Sequence, residues 1–354
     1  MKKLTLTVAT LLGGLHVLAQ NNSSVVTQSG NFNKSDVNQT GTHTSTVLQK
    51  SDASSLEQLN VVTVTQNNIE NFSLTESNSK VEQFGHGHTT TVVQDGKNSL
   101  EAYIGADGAF NQNNETYAKQ YGSQNIGLQR IEGTASSGSF LSLNQAVSDN
   151  ESDQIAFQAI ASKGYVTQSG IGNDAAQRIE GVDNEAVIQQ TSDGNDAFQQ
   201  IVGLTSTNNF SSINQSGDNN NARIITSGDN NNFDAVQIGD GNSVVGISGE
   251  AGSNATQNGN ENNILLTQIG DNNAFHISQN GNNNFISGSG AFGALQMGNN
   301  NTGIFSQDGS DLKIISDQYG NDNMQIVTQT GNESVSTVFQ SGASNMARVT
   351  QADQ

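Results

Sequence analysis

One spacing constrains this chain more than any other: glutamine returns every eleven residues. Gln257, Gln268 and Gln279 are eleven apart, and after a slip Gln296, Gln307, Gln318, Gln329, Gln340 and Gln351 keep the same step. The layout between them recurs as well. Counted from a glutamine at i, glycine stands at i+2, asparagine at i+5, apolar or small residues at i+7 and i+9, and the next glutamine at i+11. Gln268-Ile-Gly270-Asp-Asn-Asn273-Ala-Phe275-His-Ile277-Ser-Gln279 shows the unit in full.

Parity turns this spacing into structure. Offsets 5, 7, 9 and 11 are all odd, so these side chains share one face of a strand. Asn262, Ile264, Leu266 and Gln268 make one such face, and Asn273, Phe275, Ile277 and Gln279 the next. Offsets 1 to 4 hold glycine with Asp, Asn or Ser, which is turn chemistry. Each unit is therefore one strand of about seven residues and one turn of about four. The predicted fold is all-β, a solenoid of stacked strand–turn–strand rungs with two units, about 22 residues, per rung. Its hand is not fixed by the pattern.

The repeated amides are expected to point inward and stack on their copies above and below. The clearest are Gln215, Asn220, Gln237, Gln257, Asn262, Gln268, Asn273 and Gln279, followed by Gln307, Gln318, Asn323, Gln329, Gln340, Asn345 and Gln351. The expected turn glycines are Gly217, Gly239, Gly259, Gly270 and Gly281, then Gly298, Gly309, Gly320, Gly331 and Gly342.

Composition alone points elsewhere. With 5% aromatic residues and a net charge of −20, the chain resembles a disordered one. A random polar sequence does not hold an eleven-residue phase, so the period overrules that reading. There is no proline, which leaves every backbone N–H available to a ladder, and no cysteine, hence no disulfide. The excess of 33 acidic over 13 basic residues argues against binding nucleic acid or anionic lipid by charge.

In order, residues 1–19 read as a secretory signal: Lys2 and Lys3, an apolar run from Leu4 to Leu18, and Val17-Leu18-Ala19 before the cleavage point. The run is short for a membrane span and contains Gly13, Gly14 and His16, and no later segment is apolar enough to cross a bilayer. Loss of the two leader lysines takes the net charge from −20 to −22. Residues 20–105 carry a degenerate repeat, clean at Gln28 to Gln39 and Gln83 to Gln94, with residues 50–58 fitting poorly. Residues 106–214 alternate two forms: Asn-x-Ala-x-Gln-x-Ile, as in Asn173 to Ile179, and Asn-x-small-x-apolar-x-Gln, as in Asn184 to Gln190. Residues 215–354 return to the strict step. The whole reads as one continuous solenoid of about fifteen rungs, roughly 70 Å long at about 4.8 Å per rung.

The unit Gln-x-Gly-x-x-Asn-x-Ala-x-x-x-Gln resembles the curlin repeat of curli, the bacterial functional amyloid fibres. Gln340-Ser-Gly342-Ala-Ser-Asn345-Met-Ala347-Arg-Val-Thr-Gln351 matches every marked position, and Gln215, Gly217, Asn220 and Ala222 match with Thr226 as the closing residue. The resemblance implies a secreted, extracellular cell-surface fibre built as a homopolymer. It implies a curlin-like nucleator and an outer-membrane secretion pore as partners, and roles in adhesion and biofilm matrix. Major subunit, nucleator and larger adhesin all remain open.

Other chemistry has thinner support. His86-Gly-His88 places two imidazoles on one face of an alternating strand, but no third ligand accompanies them, so no metal is expected. The Gly-Asp-Asn turns lack the nine-residue calcium-binding step. Most Asp residues fall in turns, where backbone bonding accounts for them, so neither an enzyme nor a cofactor is expected. Two classes of function stay in view: a polymerising structural subunit, and a monomeric solenoid adhesin or ligand-binding protein. Leu265, Ile304, Ile315 and Ile326 are expected to expose an apolar stripe, and the strand Asn345 to Gln351 to offer an open edge, both of which favour the first.

Overall fold

The computed structural model describes residues 22–51, 59–67, 76–105, 112–134, 136–247, 253–290 and 293–353. The expected leader, residues 1–19, and most of the poorly fitting stretch 50–58 lie outside the described residues.

The described chain is all-β, and its 27 strands join in one sheet whose pairings are parallel. Away from the long strands described below, a strand does not pair with the strand that follows it. Phe210–Ser216 pairs with Asn232–Ile238, skipping Asn221–Ser227, because each eleven-residue unit reverses the chain and the next reverses it back. The result is a β-solenoid with two columns of strands facing each other across the core. Two long strands, Thr89–Ile104 and Glu115–Glu132, bend through a rung and contribute to both columns.

One residue per layer traces each column. The first runs through Gln28, Gln49, Gln83, Ile104, Ile131, Ala156 and Ile179, then Ile201, Thr226, Gln257, Gln279, Gln307, Gln329 and Gln351, which is fourteen layers. The second runs through Gln39, Gln66, Gln94, Gln120, Gln145 and Gln168, then Gln190, Gln215, Gln237, Gln268, Gln296, Gln318 and Gln340, which is thirteen. Fifteen rungs was therefore too many. The step between stacked glutamines is 22 residues in the regular parts, but 31 from Gln237 to Gln268 and 34 from Gln49 to Gln83.

The extra residues leave the ladder at its margins. Ser243–Val245 and Ala255–Asn258 are two halves of one layer, as are Phe285–Ser287 and Ala294–Met297. After each gap the chain returns in register. Gly293, at the start of the second return, lies against the outer face, where a Cβ on it would overlap the backbone of Leu265. This corrects one expectation: Thr267, outward by parity, is only 6% exposed.

Inside, alternate residues of both columns form one long apolar cluster from Val47 to Val338. Each fully buried Ile, Leu or Phe contributes about 1.5–3 kcal/mol. Volumes are matched between layers. Phe275 lies in register with Gly303, and a Cβ on that glycine would collide with the Phe275 ring.

The apolar stripe does not form as expected. Ile304 and Ile326 are adjacent on the first column, whereas Leu265 and Ile315 lie on the second, in the layers flanking that of Ser287. A different outward line emerges there: Ile238, Ile269, Met297 and Tyr319 stand in register, with Phe339 against Tyr319 at 5.5 Å between ring centroids.

Candidate functional site

The second column carries an uninterrupted line of glutamine amides. Gln39 Nε2 donates to Gln66 Oε1 at 2.8 Å, and Gln66 Nε2 to Gln94 Oε1 at 2.8 Å. The same donation repeats layer by layer through Gln237 to Gln268 at 2.9 Å and Gln318 to Gln340 at 3.0 Å. Every bond points the same way, from the lower-numbered Nε2 to the higher-numbered Oε1. The second hydrogen of many of these amides goes to a facing strand, as from Gln268 Nε2 to Ser243 O at 3.1 Å. A primary amide has two donors and an acceptor, so it can satisfy both directions at once.

The first column holds its ladder in pieces. Gln257, Gln279, Gln307, Gln329 and Gln351 form one, with steps of 2.7–3.1 Å. Gln129, Gln154, Gln177 and Gln199 form another, two positions earlier along their strands, with Ile131, Ile179 and Ile201 at the usual glutamine place. This is the Asn-x-Ala-x-Gln-x-Ile form, so the two alternating forms of residues 106–214 occupy opposite columns. Each of these pieces begins with an orphan: Gln129 Oε1 and Gln257 Oε1 are buried without a partner, as is the Thr226 hydroxyl in the layer below Gln257.

Asparagines run the other way. Asn195 Nδ2 donates down to Asn173 Oδ1, Asn220 to Asn195, Asn273 to Asn242, Asn323 to Asn301 and Asn345 to Asn323, all at 2.9–3.1 Å. Each backbone N–H at these positions also donates to the Oδ1 below, as from Asn262 N to Asn231 Oδ1 at 3.0 Å. Of the amides expected inside, Gln215, Asn220, Gln237, Gln257, Asn262, Gln268, Asn273, Gln279, Gln307, Gln318, Asn323, Gln329 and Gln340 are buried, whereas Asn345 and Gln351, in the last strand, are not.

Two ladder places are held by histidine, which the sequence reading missed. His43 Nε2 donates to Thr40 O at 2.9 Å and its Nδ1 accepts from Ser77 N at 3.3 Å. His88 Nε2 donates to Phe84 O at 3.0 Å and its Nδ1 accepts from Asn114 N at 3.3 Å. The ring thus reproduces the donor and acceptor of an asparagine amide. His86 and His88 do not share a face, because His88 is buried while His86 is half-buried at an isolated bridge to Gln112. Among the described residues no three His, Cys, Asp or Glu side chains converge as a metal site.

The turns are built from two left-handed residues. All ten expected glycines have φ between 104° and 145°, and the residue two places on is also positive, 57° at Asn219 and 55° at Asn272. A Cβ on Gly270 would overlap the carbonyl of Gly298 one layer away. The turn acids act as acceptors: Asp193 N donates to Asp218 Oδ1 at 3.0 Å, Asp218 N to Asp240 Oδ1 at 2.8 Å and Asp240 N to Asp271 Oδ1 at 3.0 Å. Asn299 continues the line, since only the oxygen is used.

Elsewhere on the outer face, acids stack on acids. Glu151, Asp174 and Asp196 stand in register. Partial burial, then the neighbouring Asp196 and Glu151, push the Asp174 carboxyl above its ordinary value. Burial also raises Asp153, against the opposing pull of Arg130, and raises Asp234, against a hydrogen bond from Ser212.

The ends differ from the body. Ser23–Gly30 is exposed along its whole length, and Asn33–Thr40 and Met346–Ala352 alternate exposed with half-buried residues where interior strands alternate half-buried with buried. Each end therefore shows a strand edge together with its inward pattern: Ser24, Val26 and Gln28 or Ser35, Val37 and Gln39 at one end, Ser336, Val338 and Gln340 or Ala347, Val349 and Gln351 at the other. No family model matches this sequence, and no curated protein matches it.

Proposed function

We propose that this chain is a structural subunit of extracellular, curli-like amyloid fibres, assembled by templated polymerisation and serving cell adhesion and biofilm matrix. The observation that carries the reading is the pair of end strands, which offer open hydrogen-bonding edges with the same small–valine–glutamine pattern that stacks in the interior. An open parallel edge of this kind is a template for another strand. The resemblance of the repeat to curlin supports the export route and the partners, a secretion pore and a nucleator. The uninterrupted amide ladder in the second column supports a continuous stacked rod.

The test is assembly of the purified chain, followed by dye fluorescence, electron microscopy and fibre diffraction. Fibres with a reflection near 4.8 Å along the axis are expected. A chain that stays monomeric at high concentration, with or without seeds, would instead favour a monomeric surface adhesin. Thr350→Pro removes an N–H that faces an incoming strand, because Asp353 N donates to Thr330 O of the layer beneath and alternation turns Thr350 N the other way, and its ring clashes with that strand. It should suppress seeded elongation while leaving the circular dichroism of the monomer unchanged. Thr328→Ala, on the outer face of the layer beneath, is the control.

A further inference from the structure

The two columns do not have the same number of layers, and this fixes how copies can join. The first column has fourteen and the second thirteen, so the described solenoid ends half a rung out of step with its beginning. A second copy stacked without rotation would place Ser23–Gly30 over Met346–Ala352 and Asn33–Thr40 over Val335–Ser341. The first column would then be continuous, but the second would lack one strand at every junction. A gap of one strand exposes two edges and part of the core, and neither column can compress to close it.

We infer that successive copies in the fibre are related by a half-turn about the solenoid axis. This rests on the polymeric reading above. The half-turn exchanges the columns and keeps the strands parallel. Ser23–Gly30 of the incoming copy then lands on Val335–Ser341, and Asn33–Thr40 on Met346–Ala352, with no missing layer. The inward residues match in register: Ser24, Val26 and Gln28 over Ser336, Val338 and Gln340, and Ser35, Val37 and Gln39 over Ala347, Val349 and Gln351. The glutamine polarity is also satisfied, because Gln340 and Gln351 present Nε2 toward the acceptor oxygens of Gln28 and Gln39.

A charge pair supports the same choice independently. With Gln39 over Gln351, Asp36 of the incoming copy lies directly over Arg348. Without rotation, Arg348 would meet Val25 and Asp36 would meet Thr337. Asp36 is already paired with Lys34 at 3.0 Å, but both side chains are more than half exposed, so the carboxylate remains open to a second cation. Directly opposed charges of opposite sign favour a strand pairing.

The absence of native cysteine makes the geometry testable. Adjacent strands lie about 4.8 Å apart, within the Cα separation that a disulfide spans. Two double variants are assembled under reduction, oxidised, then dissolved in denaturant and run without reductant. Arg348→Cys with Asp36→Cys should give a ladder of covalent oligomers, and Arg348→Cys with Val25→Cys should stay monomeric. The reverse pattern would overturn the half-turn. Loss of the charge pair in these variants is controlled by the unmodified fibre. Its image reconstruction should show a subunit repeat of thirteen and a half rungs, about 65 Å, with about 180° of rotation beyond the solenoid's own twist. A repeat with no such rotation would overturn the inference and leave the fibre reading intact, whereas a chain that forms no fibre would remove both.

Discussion

At the scale of the residue, the stability of this fold lies in where amide lines begin and stop. A glutamine inside the second column gives one hydrogen to the next layer and accepts one from the layer below. Replacing it leaves two neighbours short. Gln268→Leu strands Gln296 Oε1 and removes the acceptor of Gln237 Nε2. Gln257→Leu strands Gln279 Oε1 alone and removes an oxygen that already lacked a partner. Each buried group left unpaired costs about 1–3 kcal/mol. Thermal unfolding should therefore show Gln268→Leu to be less stable than Gln257→Leu by about that amount, and equal losses would contradict the ladder account. The histidines belong to the same scale. Nothing in the spacing marks His43 or His88, because the clue is chemical: a ring with one N–H and one lone pair can hold the place of an amide.

At the scale of the element, the turn is more demanding than the strand. A strand position asks only for the right face and volume, so Phe, Ile, Val, Ala and Gly all appear at the same offset. The turn asks for φ near 110° next to a neighbouring carbonyl, which only glycine meets. Gly270→Ala combines a backbone conformation costing about 1–3 kcal/mol with an overlap onto Gly298. Asn272→Gly, at φ 55°, should change stability by less than about 0.5 kcal/mol. Comparison of the two melting temperatures checks this. Parity made the strands legible: the inward set Asn262, Ile264, Leu266 and Gln268 follows from offsets alone. The column of each unit was less legible, because a unit of unusual length does not reveal whether its excess lies in a turn or in an outward loop. That is why Thr267 was misplaced: it is buried on the face where Gly293 closes on Leu265. It is also why Ile304 and Leu265 were assigned to one stripe when they lie on opposite faces.

At the scale of the whole molecule, charge opposes packing. Folding and stacking bring acids such as Glu151, Asp174 and Asp196 into register on a chain of net charge −20. The folded state holds the protons of Asp153, Asp174 and Asp234 more tightly than the unfolded chain does. Below the ordinary aspartate range neither state is charged at these sites and there is no penalty. As pH rises past that range the unfolded chain ionises first, and the folded state loses stability until its own raised values are passed. Mild acidification from neutral pH should therefore stabilise the monomer through these groups. Asp174→Asn should raise the melting temperature at pH 7 and flatten its pH dependence just above the ordinary aspartate range. A steeper dependence in the variant would refute this.

The split layers at Ser243–Val245 with Ala255–Asn258, and at Phe285–Ser287 with Ala294–Met297, have a further consequence. Contour length and axial pitch are uncoupled in this molecule. A rung can lengthen from 22 to 31 residues while the glutamine bond across it stays at 2.9 Å. Such a rod can gain peptide at its flank without changing its spacing, and a Cβ at Gly290 meets open space there. In a polymer, anything carried at that site would be displayed at a fixed interval along the fibre, making the rod a ruler whose markings can be rewritten without altering their distance.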